Sequence, residues 1–159
     1  MSKSKKTNAM RILERNKITY KVFEYKVVEG KTDGISVADS LSQSHELVFK
    51  TLVTKAHSGN HYVFVIPVAE ELDLKKAASV SGEKKIEMLA MKELLKTTGY
   101  VHGGCSPIGM KKQFKTFIDK SVLNNECIIC SGGRVGMQIE VLTREMIQLI
   151  DAGIEDICK

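Results

Sequence analysis

Two apolar runs at residues 51–56 and 61–66, separated by Ser58-Gly59-Asn60, restrict the fold of this chain more than any other feature. Both runs are rich in β-branched and aromatic residues, and glycine and asparagine tolerate the left-handed backbone that a tight loop needs. The stretch predicts an antiparallel hairpin inside a larger sheet. Just upstream, Val48-Phe49-Lys50-Thr51-Leu52-Val53 extends the first strand and sets one lysine into it. Side chains alternate between the faces of a strand, so Lys50 shares its face with Val48 and Leu52. Two readings of Lys50 stand side by side. An edge lysine can lay its stem on apolar surface and reach water, whereas a lysine beside a cavity needs an anion, because an unpaired buried ammonium is costly.

The remaining chain alternates helices and strands. Residues 1–6 read as a basic, disordered tip, and Thr7 caps a helix that buries Ala9, Ile12 and Leu13 before ending near Asn16. Residues 18–25 alternate as a strand with Tyr25 near its end, and residues 28–34 form a polar loop. Ser36 and Asp39 resemble a capping box opening a short helix through Leu41, and residues 44–48 read as a second helical turn. Pro67 ends the second hairpin strand, and Asp73 caps a helix over Leu74, Ala77 and Ala78 that Gly82 stops. A further helix is expected from about residue 87 to 98, burying Leu89, Ala90, Leu94 and Leu95, with Gly99 at its end. Strands follow at 114–118, 127–131 and 137–141, and Thr143 caps a last helix running through Ala152 and closed by Gly153. Six or so strands in hairpins, connected by helices, predict an α+β fold: a mixed, mostly antiparallel sheet curled toward a barrel, with surrounding helices. A doubly wound α/β arrangement is the alternative.

With 159 residues the chain is expected to form one domain, 1–159, with a core that needs neither disulfide nor metal. Its four cysteines, Cys105, Cys127, Cys130 and Cys158, have no framework spacing, and neither a leader nor a bilayer-length apolar stretch is evident, so a reducing cytoplasm is expected. The net charge of +5 draws on Lys3, Lys5, Lys6, Lys75-Lys76, Lys84-Lys85 and Lys111-Lys112, which suits a polyanionic partner or simply a solvated surface. Aromatic residues at 6% and the absence of Trp argue against a platform that reads single-stranded bases by stacking. Cys127 and Cys130 lie three apart on a strand and so face opposite sides, which disfavours a zinc site. His45, His57, His61 and His102 are scattered, and no nucleophile elbow occurs. Neither a metal nor an organic cofactor is expected.

Two glycine-rich loops compete for the chemistry. Gly103-Gly104-Cys105-Ser106-Pro107-Ile108-Gly109 lacks a Walker ending, yet its backbone N–H groups can form a nest for an anion or a developing oxyanion, with Ser106 as a further donor. The plainer reading is a set of tight turns. Ser131-Gly132-Gly133-Arg134-Val135-Gly136 offers a hydroxyl and a guanidinium for phosphate or carboxylate, or else only joins two strands. Cys105 has no evident base beside it and reads as an inert thiol.

Taken in order, Tyr25, the segment leading into Val48-Phe49-Lys50-Thr51, the run from Gly99 to Gly109 and the run from Cys130 to Gly136 resemble the YbaK/EbsC family of free-standing aminoacyl-tRNA deacylases. The similarity covers nearly the whole chain. It implies the fold of the bacterial prolyl-tRNA synthetase editing domain and removal of cysteine mistakenly joined to the proline tRNA. By position it implies Lys50, Gly103 and Ser131 as catalytic residues. Tyr25, Thr51, Gly104, Ser106, Gly132, Arg134 and Gln138 become substrate contacts, mischarged tRNA the partner, and a prolyl-tRNA synthetase a candidate partner. Gln138 departs from the pattern, which has aspartate there; an amide cannot supply the negative charge that would meet an α-ammonium. The competing reading from another class is a binding module that holds a tRNA end or another anion without hydrolysing it.

Overall fold

The structure, a computed structural model, describes residues 6–27 and 33–159. The expected tip therefore lies outside the described residues except for Lys6, which bonds Glu14 at 2.6 Å; so does most of the loop expected at 28–34. In chain order the elements are α1 (Asn8–Arg15), β1 (Tyr20–Glu24), α2 (Gly34–Ser40), β2 (Phe49–Ala56), β3 (His61–Pro67), α3 (Leu74–Ser81) and β4 (Ile86–Met88). They continue with α4 (Met91–Thr98), β5 (Lys115–Asp119), a 3₁₀ turn (Lys120–Asn124), β6 (Cys127–Ser131), β7 (Met137–Leu142), α5 (Thr143–Leu149) and β8 (Gly153–Glu155).

The strands form two sheets. One is antiparallel, in the order β1-β7-β6; the other runs β4-β2-β3-β5-β8, with β5 parallel to both β3 and β8. The α+β, mixed and mostly antiparallel expectation holds, but two open sheets stand where a closing barrel was expected. They meet where Val48 bridges Ile129 and the Ile129 N–H donates to Leu47 C=O at 2.8 Å. Between them lies the main core, with Phe49, Val53, Val63 and Val65 of the larger sheet against Ile128, Cys130, Ile139 and Val141 of the smaller. Each fully buried side chain of this size contributes about 1.5–3 kcal/mol. On the other face of the larger sheet, Phe64, Ile66 and Phe117 pack on Ala77 and Ala78 of α3.

Local signals explain most boundaries. Thr7 Oγ1 accepts from Met10 N–H, Asp73 accepts from Lys75 and Lys76 N–H, and Gly82 and Gly99 end α3 and α4 in the left-handed conformation. Other boundaries differ from expectation because a nonlocal partner wins. Asp33, not Ser36, caps α2: its Oδ2 accepts from Ser36 N–H at 3.2 Å and its Oδ1 accepts the Ser36 hydroxyl at 2.6 Å. Residues 44–48 make a turn and a bridge rather than helix, since Val48 is drawn to Ile129. Residues 86–88, expected partly as helix, become β4 because the edge of β2 offers them a ladder, and α4 starts only at Met91 with Leu95 55% exposed. Thr143 does not cap α5. Its N–H goes to Glu126 C=O, its hydroxyl is buried without a partner among the described residues, and Leu142 holds the cap position. The last helix stops at Leu149, Asp151 takes φ 50°, and Gly153 opens β8 against Phe117, where a Cβ would come within 3.0 Å of the ring.

Candidate active site

The open edge of β2 organises the site. In the β2–β3 ladder the Val68 N–H donates to Val48 C=O and the Ala56 N–H to Asn60 C=O. Even-numbered backbone groups of β2 therefore face β3, and those of Phe49 and Thr51 face outward. β4 pairs with β2 only from Thr54 to Ala56, followed by the bond from Leu89 N–H to Val53 C=O. The first half of β2 is left uncovered by β4, and a cavity of about 610 Å³ opens there, a volume suited to a small-molecule-sized group.

Register brings the polar groups to this cavity. Ser131 at the end of β6 is opposite Gln138 at the start of β7, Gln138 is opposite Phe23 of β1, and the Tyr25 N–H donates to Gly136 C=O at 3.0 Å. Tyr25, Ser131 and Gln138 thus share one end of the smaller sheet, facing Lys50 and Thr51 at the start of β2, with Gly103 alongside; all six line the cavity. Its apolar wall includes Val37, Phe49, Met88, Met91 and Leu94. Lys50 is half-buried and makes no ion pair or side-chain hydrogen bond among the described residues. Thr51 Oγ1 is buried and likewise without a partner there. An ammonium and a hydroxyl left unpaired on a cavity wall are groups that a polar ligand would satisfy.

The two glycine loops touch backbone to backbone. A Cβ on Gly104 would lie 2.7–2.8 Å from Val135 N and from Arg134 C and Cα, so only glycine fits. Gly103 has φ 83°, in the left-handed region, and turns the chain toward the cavity. The Gly104 N–H donates to Val101 C=O at 2.9 Å, so it is already committed and cannot serve as the oxyanion donor expected of it. The Gly103 N–H has no acceptor among the described residues.

Four expected contacts are not brought to the cavity. Ser106 is fully buried and its Oγ accepts from Ile108 N–H at 3.2 Å, which makes it a latch of its own loop rather than a substrate contact. Gly104 is taken up by loop packing, and Gly132 donates to Met137 C=O while its own C=O accepts the Thr7 hydroxyl. Arg134 stands outside the cavity lining. Conversely, His102, Cys105 and Cys130 line the cavity and were not expected as site residues. His102 adjoins Gly103 in sequence, a signal that was available. Burial pushes the Cys105 and Cys130 thiols up to about 12, so both stay protonated at neutral pH. Gln43 was missed for a plainer reason, since its partner is 95 residues away: its Nε2 donates to Gln138 Oε1 at 2.8 Å. That bond engages the carbonyl oxygen of Gln138, which itself lines the cavity. Among the described residues no group of three or more His, Cys, Asp or Glu could hold a metal ion, and no helix is long and apolar enough to cross a membrane.

A profile of the aminoacyl-tRNA editing domain matches residues 31–149, from the cap of α2 through α5, and so encloses every one of these convergent side chains but Tyr25. The chain belongs to this family. A relative from Enterococcus faecalis (strain ATCC 700802 / V583), named provisionally as a Cys-tRNA(Pro)/Cys-tRNA(Cys) deacylase, EbsC, is 47% identical over 152 residues, covering 96% of this editing domain chain and 93% of the relative. A solved structure described provisionally as a trans-editing enzyme for prolyl-tRNA synthetase superposes with a TM-score of 0.82 at 21% identity, over 96% of this chain and 95% of the other. Another, of a hypothetical protein, reaches 0.87 at 20% identity over 96% and 99%. At such identities the two structures speak for the editing-domain fold alone.

Proposed function

We propose that this editing domain is a trans-acting deacylase that frees tRNA(Pro) from mistakenly attached cysteine. The observation that carries the reading is the convergence of Lys50, Thr51, Gly103, Ser131, Gln138 and Tyr25 from separate stretches around one cavity whose Lys50 ammonium and Thr51 hydroxyl lack partners among the described residues. The relative named for Cys-tRNA(Pro) and Cys-tRNA(Cys) supports the substrate class. Prolyl-tRNA synthetase, whose product would be proofread, is the candidate partner, and the cytoplasm the place of action.

An aminoacyl ester is already activated, so the site has to hold the terminal adenosine, orient the ester and stabilise negative charge on its carbonyl oxygen. Lys50 supplies positive charge beside the ester, the Gly103 N–H donates to the oxyanion, and Ser131 with Thr51 fixes the ribose or the amino acid. Two nucleophiles fit. The cysteine substrate's own sulfur can attack its carbonyl carbon, forming a C–S bond as the C–O bond to ribose breaks, with the thiol proton passing to the ribose oxygen. Alternatively a positioned water attacks and yields the free acid and the ribose hydroxyl. Protonated Cys105 and Cys130 do not compete for this role.

Single-turnover deacylation of Cys-, Ser- and Ala-charged tRNA(Pro) tests the reading. Cysteine should leave fastest, and Lys50→Ala should slow it about a hundredfold, on the order of 3 kcal/mol in the transition state, without lowering the melting temperature. A wild-type protein that binds charged tRNA but releases amino acid no faster than buffer would establish the binding-module reading instead.

A further inference from the structure

The fold gathers lysines that the sequence scatters. Lys55 on β2 stands opposite His61 on β3 and Glu87 on β4. The Glu93 carboxyl of α4 is held below its usual range chiefly by its bond to Lys96, at 3.0 Å, and further by the nearby charges of Lys55 and Lys92. His61 is pushed down by burial first and then by Lys55 and Lys112. Lys55, Lys92 and Lys96 therefore gather around Glu93, Lys112 lies near His61, Lys85 pairs with Glu87 at 3.3 Å, and Lys111 reaches the Lys96 C=O.

The opposite edge of the larger sheet is different. Beyond β8, Lys76 and Lys120 share Asp156, Lys76 also bonds Cys158 C=O, and Lys159 is 3.4 Å from Glu71. At the β2–β4 edge Lys85 and Lys96 are answered by Glu87 and Glu93, while Lys55 and Lys92 make no ion pair among the described residues, which leaves positive charge in excess there.

A groove of about 450 Å³ runs through the basic side, lined by Lys55, His57, Lys85 and Lys92 with Glu87 and Glu93. It shares Met88 and Leu89 with the main cavity, so the two adjoin at β4. Met88, 47% exposed, lines both, and Met91, 66% exposed, lines the main cavity beside it. The groove lining contains no Phe, Tyr or Trp, which suits phosphates rather than stacked bases.

We infer that the groove over β4 seats the sugar-phosphate backbone of the acceptor strand as it leaves the main cavity, with Lys55 and Lys92 as its principal phosphate contacts. The assignment rests on the deacylase reading, because the ester end of the same strand must occupy the main cavity. Lys75 and Lys76, adjacent in sequence and equally basic, lie outside this path.

The test compares Lys55→Glu/Lys92→Glu with a control pair at the far edge, Lys75→Glu/Lys120→Glu. Substrates are cysteinyl-tRNA(Pro) and cysteinyl-adenosine, which carries the ester but no phosphate. Expected is a tenfold or greater rise in KM for the tRNA near 0.1 M salt, with kcat within twofold, unchanged turnover of cysteinyl-adenosine, and a silent control pair. Anisotropy with an uncharged acceptor hairpin ending in CCA reads binding without catalysis. There Lys55→Ala/Lys92→Ala should reduce the slope of log affinity against log salt by about 1.4–1.8, two phosphate contacts' worth. Equal affinity of wild type and groove variant for the hairpin overturns the inference, as does an equal loss in the control pair or on cysteinyl-adenosine. A wild type that binds the hairpin with the expected slope but hydrolyses neither substrate refutes the deacylase reading while sparing the groove.

Discussion

The two glycine-rich loops lie against each other, and each has a serine beside its glycines, Ser106 two residues after Gly104 and Ser131 just before Gly132, yet the serines end up in opposite settings. In the loop after α4, Ser106 is sealed inside, its oxygen spent on the Ile108 N–H. At the end of β6, where the second loop begins, Ser131 is half-buried on the cavity wall, accepting from Gly133 N–H at 3.2 Å and retaining a hydroxyl proton to donate. The first loop is a frame, buried from Gly104 through Ile108 and pinned by the Tyr100 hydroxyl on Ile108 C=O at 2.6 Å. The second carries Ser131 onto the wall of the cavity that Lys50 also lines, where the proposed chemistry would take place. A motif residue's type says little about which of these it is; the neighbouring backbone decides.

The most severe way to break this pairing is Gly104→Ala. A methyl 2.7–2.8 Å from the Arg134 and Val135 backbone must push the loops apart. Overpacking of this kind costs about 2–3 kcal/mol, so the melting temperature should drop by roughly 5–10 °C, and kcat/KM should fall about a hundredfold as Ser131 and Gly103 lose register. A variant that melts and turns over like wild type would show that the contact of the two backbones is unimportant.

Exchanging each serine for alanine sharpens the contrast. Ser131→Ala should cost about tenfold or more in kcat/KM with little change in stability. Ser106→Ala should leave kcat/KM within about threefold but cost roughly 1–2 kcal/mol, because it strands the buried Ile108 N–H. If chemical denaturation and kinetics gave the reverse pattern, the assignment of frame and cavity wall would be inverted.

The smallest effect is expected at Cys105, which belongs to the frame yet touches the cavity. Cys105→Ala should retain at least a third of wild-type turnover, and no thioester should be trapped on it by acid quench. Its thiol has a pH consequence all the same. Cys105, Cys130 and Cys158 are each raised to about 12, mainly by burial, whereas unfolded thiols ionise near 8.5. Their protonated forms favour the folded state fully below about pH 8.5, and that contribution fades as pH rises from there toward 12. Melting temperature followed across that window should decline less steeply in Cys105→Ala than in wild type.

Much of this protein was legible in its sequence because the signals are local. The hairpin of β2 and β3, the caps at Thr7 and Asp73, and the glycines ending α3 and α4 each depend on a few neighbouring residues and their backbone preferences. The resemblance to a known family also pointed to Lys50, Thr51, Gly103, Ser131, Gln138 and Tyr25, which the fold does bring together. What only the tertiary structure decided involves partners far apart in the chain. Residues 86–88 became a strand because β2 offered an unpaired edge, Ser106 was withdrawn from the site because its loop closed over it, and Gln43 reached across 95 residues to engage the Gln138 amide. The lysines lining the groove, Lys55 of β2, Lys85 just before β4 and Lys92 of α4, likewise became one charged face only when these segments converged. Hydrogen-bond satisfaction and close packing are settled by whichever groups arrive in space, and sequence spacing carries no record of them.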